Sequence, residues 1–174
     1  MDEIEVPLEQ AQEHIHEAAH HEGHTGMNSL AAVMSAFLAV VAAVSALFAG
    51  HFANEAMIEQ IQSSDKWAYY QAKGIKLAIA QLHQETAPSE ETKAKIEQYQ
   101  EDQKEIQAQA EEKEAESRVF LRKHETLAAA VTFFQVAIAI TAIAILTRRR
   151  NFLGLSVTLG IIGIVVAALG FLRG

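Results

Sequence analysis

The sequence predicts an all-α membrane protein with three transmembrane helices, the first two of which continue into a long extramembrane antiparallel coiled-coil hairpin. Residues 27–50, 126–147 and 152–172 are apolar and contain no Asp, Glu, Lys or Arg. Residues 51–125 are rich in charged side chains and Gln, and Gly74 and Pro88 are their only helix-disfavouring residues. Long apolar segments framing a helix-forming polar segment indicate this fold class.

Each apolar segment is long enough to span a lipid bilayer. A hydrocarbon core roughly 30 Å thick needs about 20 apolar residues in a helix. The first segment follows an acidic tail and has no basic flank, which is atypical of a signal peptide, so we expect a retained helix. We therefore expect the chain to reside in the bilayer as a multi-pass protein.

The net charge is −8, from 14 Lys and Arg against 22 Asp and Glu. Neither polar segment has the basic surface that nucleic-acid binding requires, so we expect no nucleic-acid partner. The sequence has no cysteine, which excludes disulfides and thiolate metal sites.

Residues 1–26 form an acidic, His-rich tail. If this tail is helical, His16, His20 and His24 share one face at four-residue steps. Neutral imidazoles at this spacing can bind Zn or Ni. The alternative is a flexible tail that is His-rich in composition only.

The basic link 148–151 predicts the topology. Short loops rich in arginine favour the cytoplasm, so Arg148, Arg149 and Arg150 predict a cytoplasmic tail and a hairpin on the outer side. Arg118, Arg122 and Lys123 oppose this topology, but the rule carries little weight for loops longer than about 60 residues.

A turn near residues 86–89 divides the extramembrane segment into two helices. Pro88 fits a first helical turn and Ser89 can cap the next helix. We expect helices from about Asn28 to Glu85 and from about Ser89 to Thr147, and a hairpin that projects about 50 Å beyond the bilayer.

Both predicted helices carry an unbroken heptad series, which is typical of a left-handed coiled coil. Folding them about Pro88 pairs residues whose numbers sum to about 178. In this register Asp65 lies opposite Lys113, and Asn54 lies opposite His124. The first series is Ile58, Ile61, Asp65, Ala68, Ala72, Ile75, Ile79 and Leu82. It continues into the first span as Val33, Phe37, Val40, Val44 and Leu47. The series of the second helix is Ile96, Tyr99, Gln103, Ile106, Ala110, Lys113, Ser117, Phe120, His124 and Leu127.

The first helix has a second series of small and aromatic residues, which would allow close approach of another helix. We interpret Trp67, Tyr70 and Gly74 as a surface for oligomerisation or for a partner. Small residues of the third span are expected to pack on this series or on a neighbouring subunit. We name this the small-residue series, and its members are Ala32, Ser35, Ala39, Ala42, Ala46, Ala49, Ala53, Ala56, Gln60, Ser63, Trp67, Tyr70, Gly74 and Leu77.

Three polar residues are expected to converge at the membrane boundary, namely His51, Asn54 and His124. They could form a hydrogen-bonded polar layer, or a site that responds to protons or binds a small ligand.

Residues 54–60 (NEAMIEQ) and 67–76 (WAYYQAKGIK) resemble the corresponding segments of an uncharacterised bacterial family of three-span membrane proteins of unknown function. Such proteins have an acidic, His-containing tail and a basic run after the second span. The resemblance implies a bacterial inner-membrane location and no particular activity or cofactor.

No phosphate loop, zinc-protease motif or serine beside a base is present, so we expect no enzymatic activity. The first hypothesis is a homo-oligomeric scaffold that docks an unknown protein partner through its coiled coil. The alternatives are a metal- or pH-responsive sensor that uses the His-rich tail, and an ion-conducting oligomer.

Overall fold

The computed structural model describes residues 26–172, and they form three helices. Helix α1 is Gly26–Thr86, α2 is Glu90–Thr147 and α3 is Arg150–Leu172. All three are long and apolar enough to cross a membrane. The all-helical prediction with three candidate spans is confirmed, and a multi-pass membrane protein is the class that this architecture suggests.

The turn between α1 and α2 occupies residues 87–89. Ser89 is the N-cap of α2, and its hydroxyl accepts a 3.1 Å hydrogen bond from the Thr92 backbone nitrogen. Glu90 and Glu91 follow in the first turn, where negative charge complements the helix dipole. Pro88 lies directly before this cap, and its fixed backbone angle is compatible with the start of a helix.

The link between α2 and α3 is shorter still. Residues 148–149 connect the helices, and Arg148 has a left-handed backbone conformation with φ 52°. Its backbone N–H donates a 3.4 Å hydrogen bond to the Ile145 carbonyl oxygen, which closes the end of α2. The chain therefore reverses direction within two residues.

Helices α1 and α2 lie against each other in antiparallel orientation. His124 of α2 contacts the carbonyl of Ala49, whereas Asp102, earlier in α2, contacts Lys73, later in α1. Contacts therefore continue well beyond the apolar part of each helix. The polar parts of both helices form one paired structure with the spans.

Helix α3 packs closely, as its small residues predict, but mainly against α2 and only through a few side chains against α1. A Cβ on Gly163 would lie 2.6 Å from Phe134 Cε1, and one on Gly160 would lie 3.0 Å from Leu38 Cδ2. The buried residues of α3 are Ser156, Gly160, Gly163, Ala167 and Gly170.

A polar contact also joins α2 and α3 inside their apolar segments. The Ser156 hydroxyl donates to the Ala137 carbonyl oxygen at 2.7 Å and lies 2.6 Å from the Thr141 hydroxyl oxygen. Both hydroxyls are fully buried, so each has its hydrogen-bond partner within the protein. The surrounding core consists of Leu38, Ala42, Ala49, Leu127, Ala130, Phe134, Ala137 and Ala167.

Candidate interaction surface

The face that α1 presents to α2 is made of small residues rather than the large aliphatic ones. The Ser63 hydroxyl donates a 3.1 Å hydrogen bond to the carbonyl oxygen of Ala110. The Ser117 hydroxyl donates a 2.8 Å hydrogen bond to the carbonyl oxygen of Ala56. A serine side chain is short, so these bonds require the two helix backbones to lie close together. All four residues are buried.

Part of the small-residue series therefore supplies the α1–α2 contact. Its buried members are Ala42, Ala49, Ala56 and Ser63, whereas Ala32, Ala39, Ala46 and Gln60 are exposed. Gln103 Nε2 donates to the Tyr70 carbonyl oxygen at 3.4 Å, and a Cβ on Gly74 would lie 3.0 Å from the same nitrogen. The Trp67 ring packs against the Tyr70 ring with centroids 5.6 Å apart. Trp67, Tyr70 and Gly74 are interpreted from the sequence as a surface for another chain. In the structure Tyr70 and Gly74 lie against Gln103 of α2 in their own chain, and Trp67 contacts Tyr70.

The register of the pair differs from the predicted one by about one helical turn. The numbers of Ser63 and Ala110 sum to 173, as do those of Ala56 and Ser117. Lys113 Nζ lies 3.0 Å from Glu59 Oε2 and 2.7 Å from Glu116 Oε2. Its neighbour on α1 is thus Glu59, not Asp65, whose side chain is exposed. Close packing of serine on alanine sets this register.

The predicted pairing of Asn54 with His124 is replaced in the same way. His124 Nδ1 hydrogen-bonds the Ala49 carbonyl oxygen at 2.8 Å, so this nitrogen carries the proton. Asn54 is exposed on another face of α1. His51 is also exposed, and its ring lies 5.5 Å from the Phe52 ring between centroids. The three polar residues do not converge into one layer.

An aromatic cluster occupies the same level instead, and sequence reasoning did not identify it. The Phe52 ring stacks on Phe120 at 6.2 Å and meets the edge of Phe171 at 6.4 Å. Phe171 also makes an edge contact with Phe48 at 5.2 Å. The Lys123 ammonium lies 5.6 Å from the Phe52 ring centroid. The cluster joins the end of α3 to α1 and α2, and Lys123 covers it with a cation–π contact.

A second ion pair links the helices nearer the turn. Lys73 Nζ lies 2.5 Å from Asp102 Oδ2 and within 6 Å of the Tyr69 and Tyr99 ring centroids. The hydrogen bond to Asp102 is the main reason that the pKa of Lys73 is raised above its ordinary value. Oppositely charged residues on the facing sides of two helices were the only sequence signal for this pair.

The large aliphatic series of α1 lies on the exposed side of the helix. Ile58 and Ile79 lie two residues after Ala56 and Leu77 of the α2-facing series, and two residues turn a helix by about 200°. The series therefore points away from α2. We name it the exposed heptad face. All its members are exposed: Val33, Phe37, Val40, Val44, Leu47, His51, Asn54, Ile58, Ile61, Asp65, Ala68, Ala72, Ile75, Ile79 and Leu82.

The exposed heptad face is also highly exposed in the polar part of α1, beyond the apolar segment. Ile75 is 64% exposed, Ile79 62% and Leu82 63%. The heptad spacing in the sequence predicts that these residues pack on α2, whereas the structure leaves them exposed. The residues His16, His20 and His24, predicted as a metal site, lie outside the described residues.

The chain belongs to the family defined as Domain of unknown function (DUF4337), whose model matches residues 27–173. This match confirms the resemblance to a family without an assigned function. The matched residues include nearly all of the three helices, and thus both the α2-facing side of α1 and the exposed heptad face. No curated protein and no solved structure matches the chain.

Proposed function

We propose that this protein is a non-enzymatic inner-membrane scaffold whose paired α1 and α2 helices form a coiled-coil stalk that docks protein partners. The observation that carries the proposal is the exposed heptad face of α1. Five large aliphatic side chains on it, beyond the apolar segment, are about half exposed or more: Ile58, Ile61, Ile75, Ile79 and Leu82. Extended apolar surface outside a membrane marks a protein interaction site.

The membrane supplies the anchor in this proposal. The apolar segments of α1, α2 and α3 are the transmembrane helices, and the basic link between α2 and α3 lies in the cytoplasm. The stalk then projects into the periplasm of a bacterial cell. Lipid covers the apolar segments but not the exposed isoleucines near the turn, so these need a protein partner.

The helix pair has the rigidity that a scaffold needs. Helix α1 runs through 61 residues, and α2 through 58, without a break. Inter-helix contacts at His124, Ser117, Ser63 and Lys73 hold the pair together along its length. A partner bound near the turn is therefore held at a fixed distance from the bilayer.

Site-specific photo-crosslinking in native membranes tests this function. A photoreactive amino acid at Ile75 is expected to form a covalent adduct with a protein. The same residue at Ala108, exposed on α2, is the matched control and is expected to form none. Absence of any protein adduct at Ile75, with the chain intact in the membrane, would overturn the proposal.

A further inference from the structure

We infer that the partner of the exposed heptad face is the same face of a second copy, so that two α1 helices form a parallel coiled coil in register. This inference rests on the proposed function, because it takes the face as a protein interface and names its occupant. In this arrangement each copy keeps its own α1–α2–α3 unit, and the twofold axis is normal to the membrane.

The spacing of the face indicates that a helix covers it. Its members alternate steps of three and four residues from Val33 to Leu82 without interruption. This repeat averages 3.5 residues, whereas a straight helix has 3.6 residues per turn. Because α1 already pairs with α2, a face with strict heptad spacing keeps a constant orientation relative to that pair, and another supercoiling helix can follow it along its whole length.

The extent of the face selects a second copy as that helix. The series begins inside the apolar segment of α1 and continues past Ile75 to Leu82, four residues before α1 ends. Its partner must therefore cross the membrane and project from it by the same distance. A second copy of α1 meets both requirements, because it has the same apolar segment and the same length beyond it.

The size of the contact also fits a stable dimer. The series spans 50 residues, from Val33 to Leu82, or roughly 70 Å of helix at 1.5 Å per residue. A contact about 10 Å wide over that length covers roughly 700 Å² on each copy, close to the roughly 800 Å² of a standard interface.

The orientation follows from the membrane, because all copies of one chain share the same topology. Two α1 helices related by an axis normal to the bilayer are parallel, and each residue of the face meets its own counterpart. The residues beside the seam permit this. Ser64 faces Tyr69 of the second copy, Gln71 faces Lys76, and Ala78 faces His83, so no like charges meet there.

Nothing in the three-helix unit obstructs the face. The α2-facing residues lie on the other side of α1, and α3 packs mainly against α2. The face of one copy can therefore approach the face of another without rearrangement of the α1–α2 contact.

Asp65 lowers the stability of the in-register dimer, whereas His51 and Asn54 favour its register. In the parallel pair its carboxylate faces the carboxylate of the other copy within an apolar seam, which weakens association. His51 and Asn54 likewise meet their counterparts, and polar residues in a seam disfavour shifted pairings. Replacing Asp65 with leucine should therefore strengthen the dimer.

Disulfide crosslinking of purified full-length protein in lipid nanodiscs or mild detergent tests the pairing. Because the chain has no cysteine, each variant carries a single thiol. Ile75→Cys and Leu82→Cys are expected to form covalent dimers under mild oxidation, since these seam positions bring the two thiols together. Ala108→Cys is the control and should stay monomeric.

Sedimentation equilibrium of the cysteine-free chain supplies the second measurement. Ile75→Lys with Ile79→Lys should weaken the dimer at least about tenfold, because buried aliphatic side chains are replaced by charges. Asp65→Leu should strengthen it at least about tenfold. Ala108→Lys should leave it unchanged. Helical circular dichroism verifies that each variant is folded.

The outcomes separate the inference from the proposed function. If both seam cysteines stay reduced and the chain is monomeric, the second copy is excluded as the occupant. A different protein crosslinked at Ile75 in native membranes would then leave the scaffold function standing. If Ile75 captures no protein and the purified chain is monomeric, both proposals are overturned. Dimers that crosslink at Ala108 as readily as at Ile75 would overturn the parallel seam.

Discussion

Ser63 and Ala110 meet across α1 and α2, where the serine hydroxyl donates a 3.1 Å hydrogen bond to the alanine carbonyl oxygen. One heptad away the roles are reversed, and Ser117 of α2 donates to Ala56 of α1. Each contact pairs a short hydroxyl with a residue that has only a methyl side chain. The two contacts together fix which face of α1 meets α2 and in which register.

A larger side chain at Ser63 should therefore force the helices apart. Ser63 is 1% exposed, and Ser63→Leu should destabilise the protein by about 1–3 kcal/mol through overpacking. Ala108→Leu is the control, because Ala108 is exposed on α2, and should change stability by less than about 0.5 kcal/mol. Thermal unfolding followed by circular dichroism in detergent compares them. Equal melting temperatures for the two variants would contradict the close contact.

Gly163 should not tolerate even a methyl group. A Cβ there would lie 2.6 Å from Phe134 Cε1, and Phe134 is fully buried. We expect Gly163→Ala to lower stability by about 1–3 kcal/mol before the helix-propensity gain of up to about 1 kcal/mol. Gly154→Ala, with nothing within 4 Å of the added Cβ, should be neutral or stabilising. The difference between their melting temperatures isolates the α2–α3 contact, and the absence of a difference would argue against it.

The register predicts which cysteine pair forms a disulfide within one chain. Ser63→Cys with Ala110→Cys should oxidise, because the Ser63 side chain already contacts the Ala110 backbone. Ala68→Cys with Ala110→Cys, the pair expected from the register about one turn away, should form no disulfide within one chain, because Ala68 is exposed on the side of α1 away from α2. Gel mobility after mild oxidation distinguishes the two variants. The reverse result would restore the register predicted from the sequence.

Charge exchange at Lys73 and Asp102 should show that this ion pair joins the two helices. Lys73→Asp places two carboxylates together, and Asp102→Lys places two ammonium groups together, so each single variant should melt at a lower temperature than the original chain. The double exchange restores opposite charges and should recover most of the loss. The control exchange is Lys104→Glu with Glu101→Lys, an exposed pair within α2. It should change little, since exposed ion pairs contribute little to stability.

The ion cluster at Lys113 predicts a pH dependence. Glu116, and after it Glu59, raises the pKa of Lys113 above its ordinary value, and Lys113 lowers the pKa of Glu116. The lysine contribution is complete below its unfolded pKa of about 10.4 and declines as pH rises through the folded pKa. The Glu116 contribution is present above about pH 4.3 and declines as pH falls through the lower folded pKa.

Melting temperatures measured from about pH 3 to about pH 11, a range that includes both unfolded pKa values, test this dependence. The difference between the original chain and Lys113→Met should be level near neutral pH and shrink towards both extremes. Lys104→Met is the control and should give a small difference throughout. A Lys113→Met difference that stays constant with pH would contradict the assignment.

The ends of the helices could be predicted from the sequence because single residues determine them. Pro88 and Ser89 define the start of α2, and the acidic first turn supports it. The apolar segments could be predicted just as directly, because length and absence of charge are local properties of the sequence. In the structure the turn occupies residues 87–89.

The orientation of α1 could not be predicted in the same way, because this helix carries two heptad series. Large aliphatic residues such as Ile75 fit a coiled-coil seam, and hydrophobicity alone favours them for the α2 contact. The structure uses the small series containing Ser63, which gains hydrogen bonds to opposing carbonyls and closer backbone approach. Serine and alanine at matching heptad positions of both helices were the signal that could have identified this face.

The two-residue link at Arg148 determines what two neighbouring copies can exchange. Exchange of α3 between two copies by domain swapping would require this link to open. Residues 148–149 close the end of α2 through the bond from Arg148 to Ile145 and lead directly into α3. If the link became helical, α2 would continue into α3, and the apolar α3 would project out of a bilayer into water. If the link stayed closed, its two residues would keep α3 beside α2 of its own chain. Copies of this protein can therefore meet side by side without exchanging their last helices.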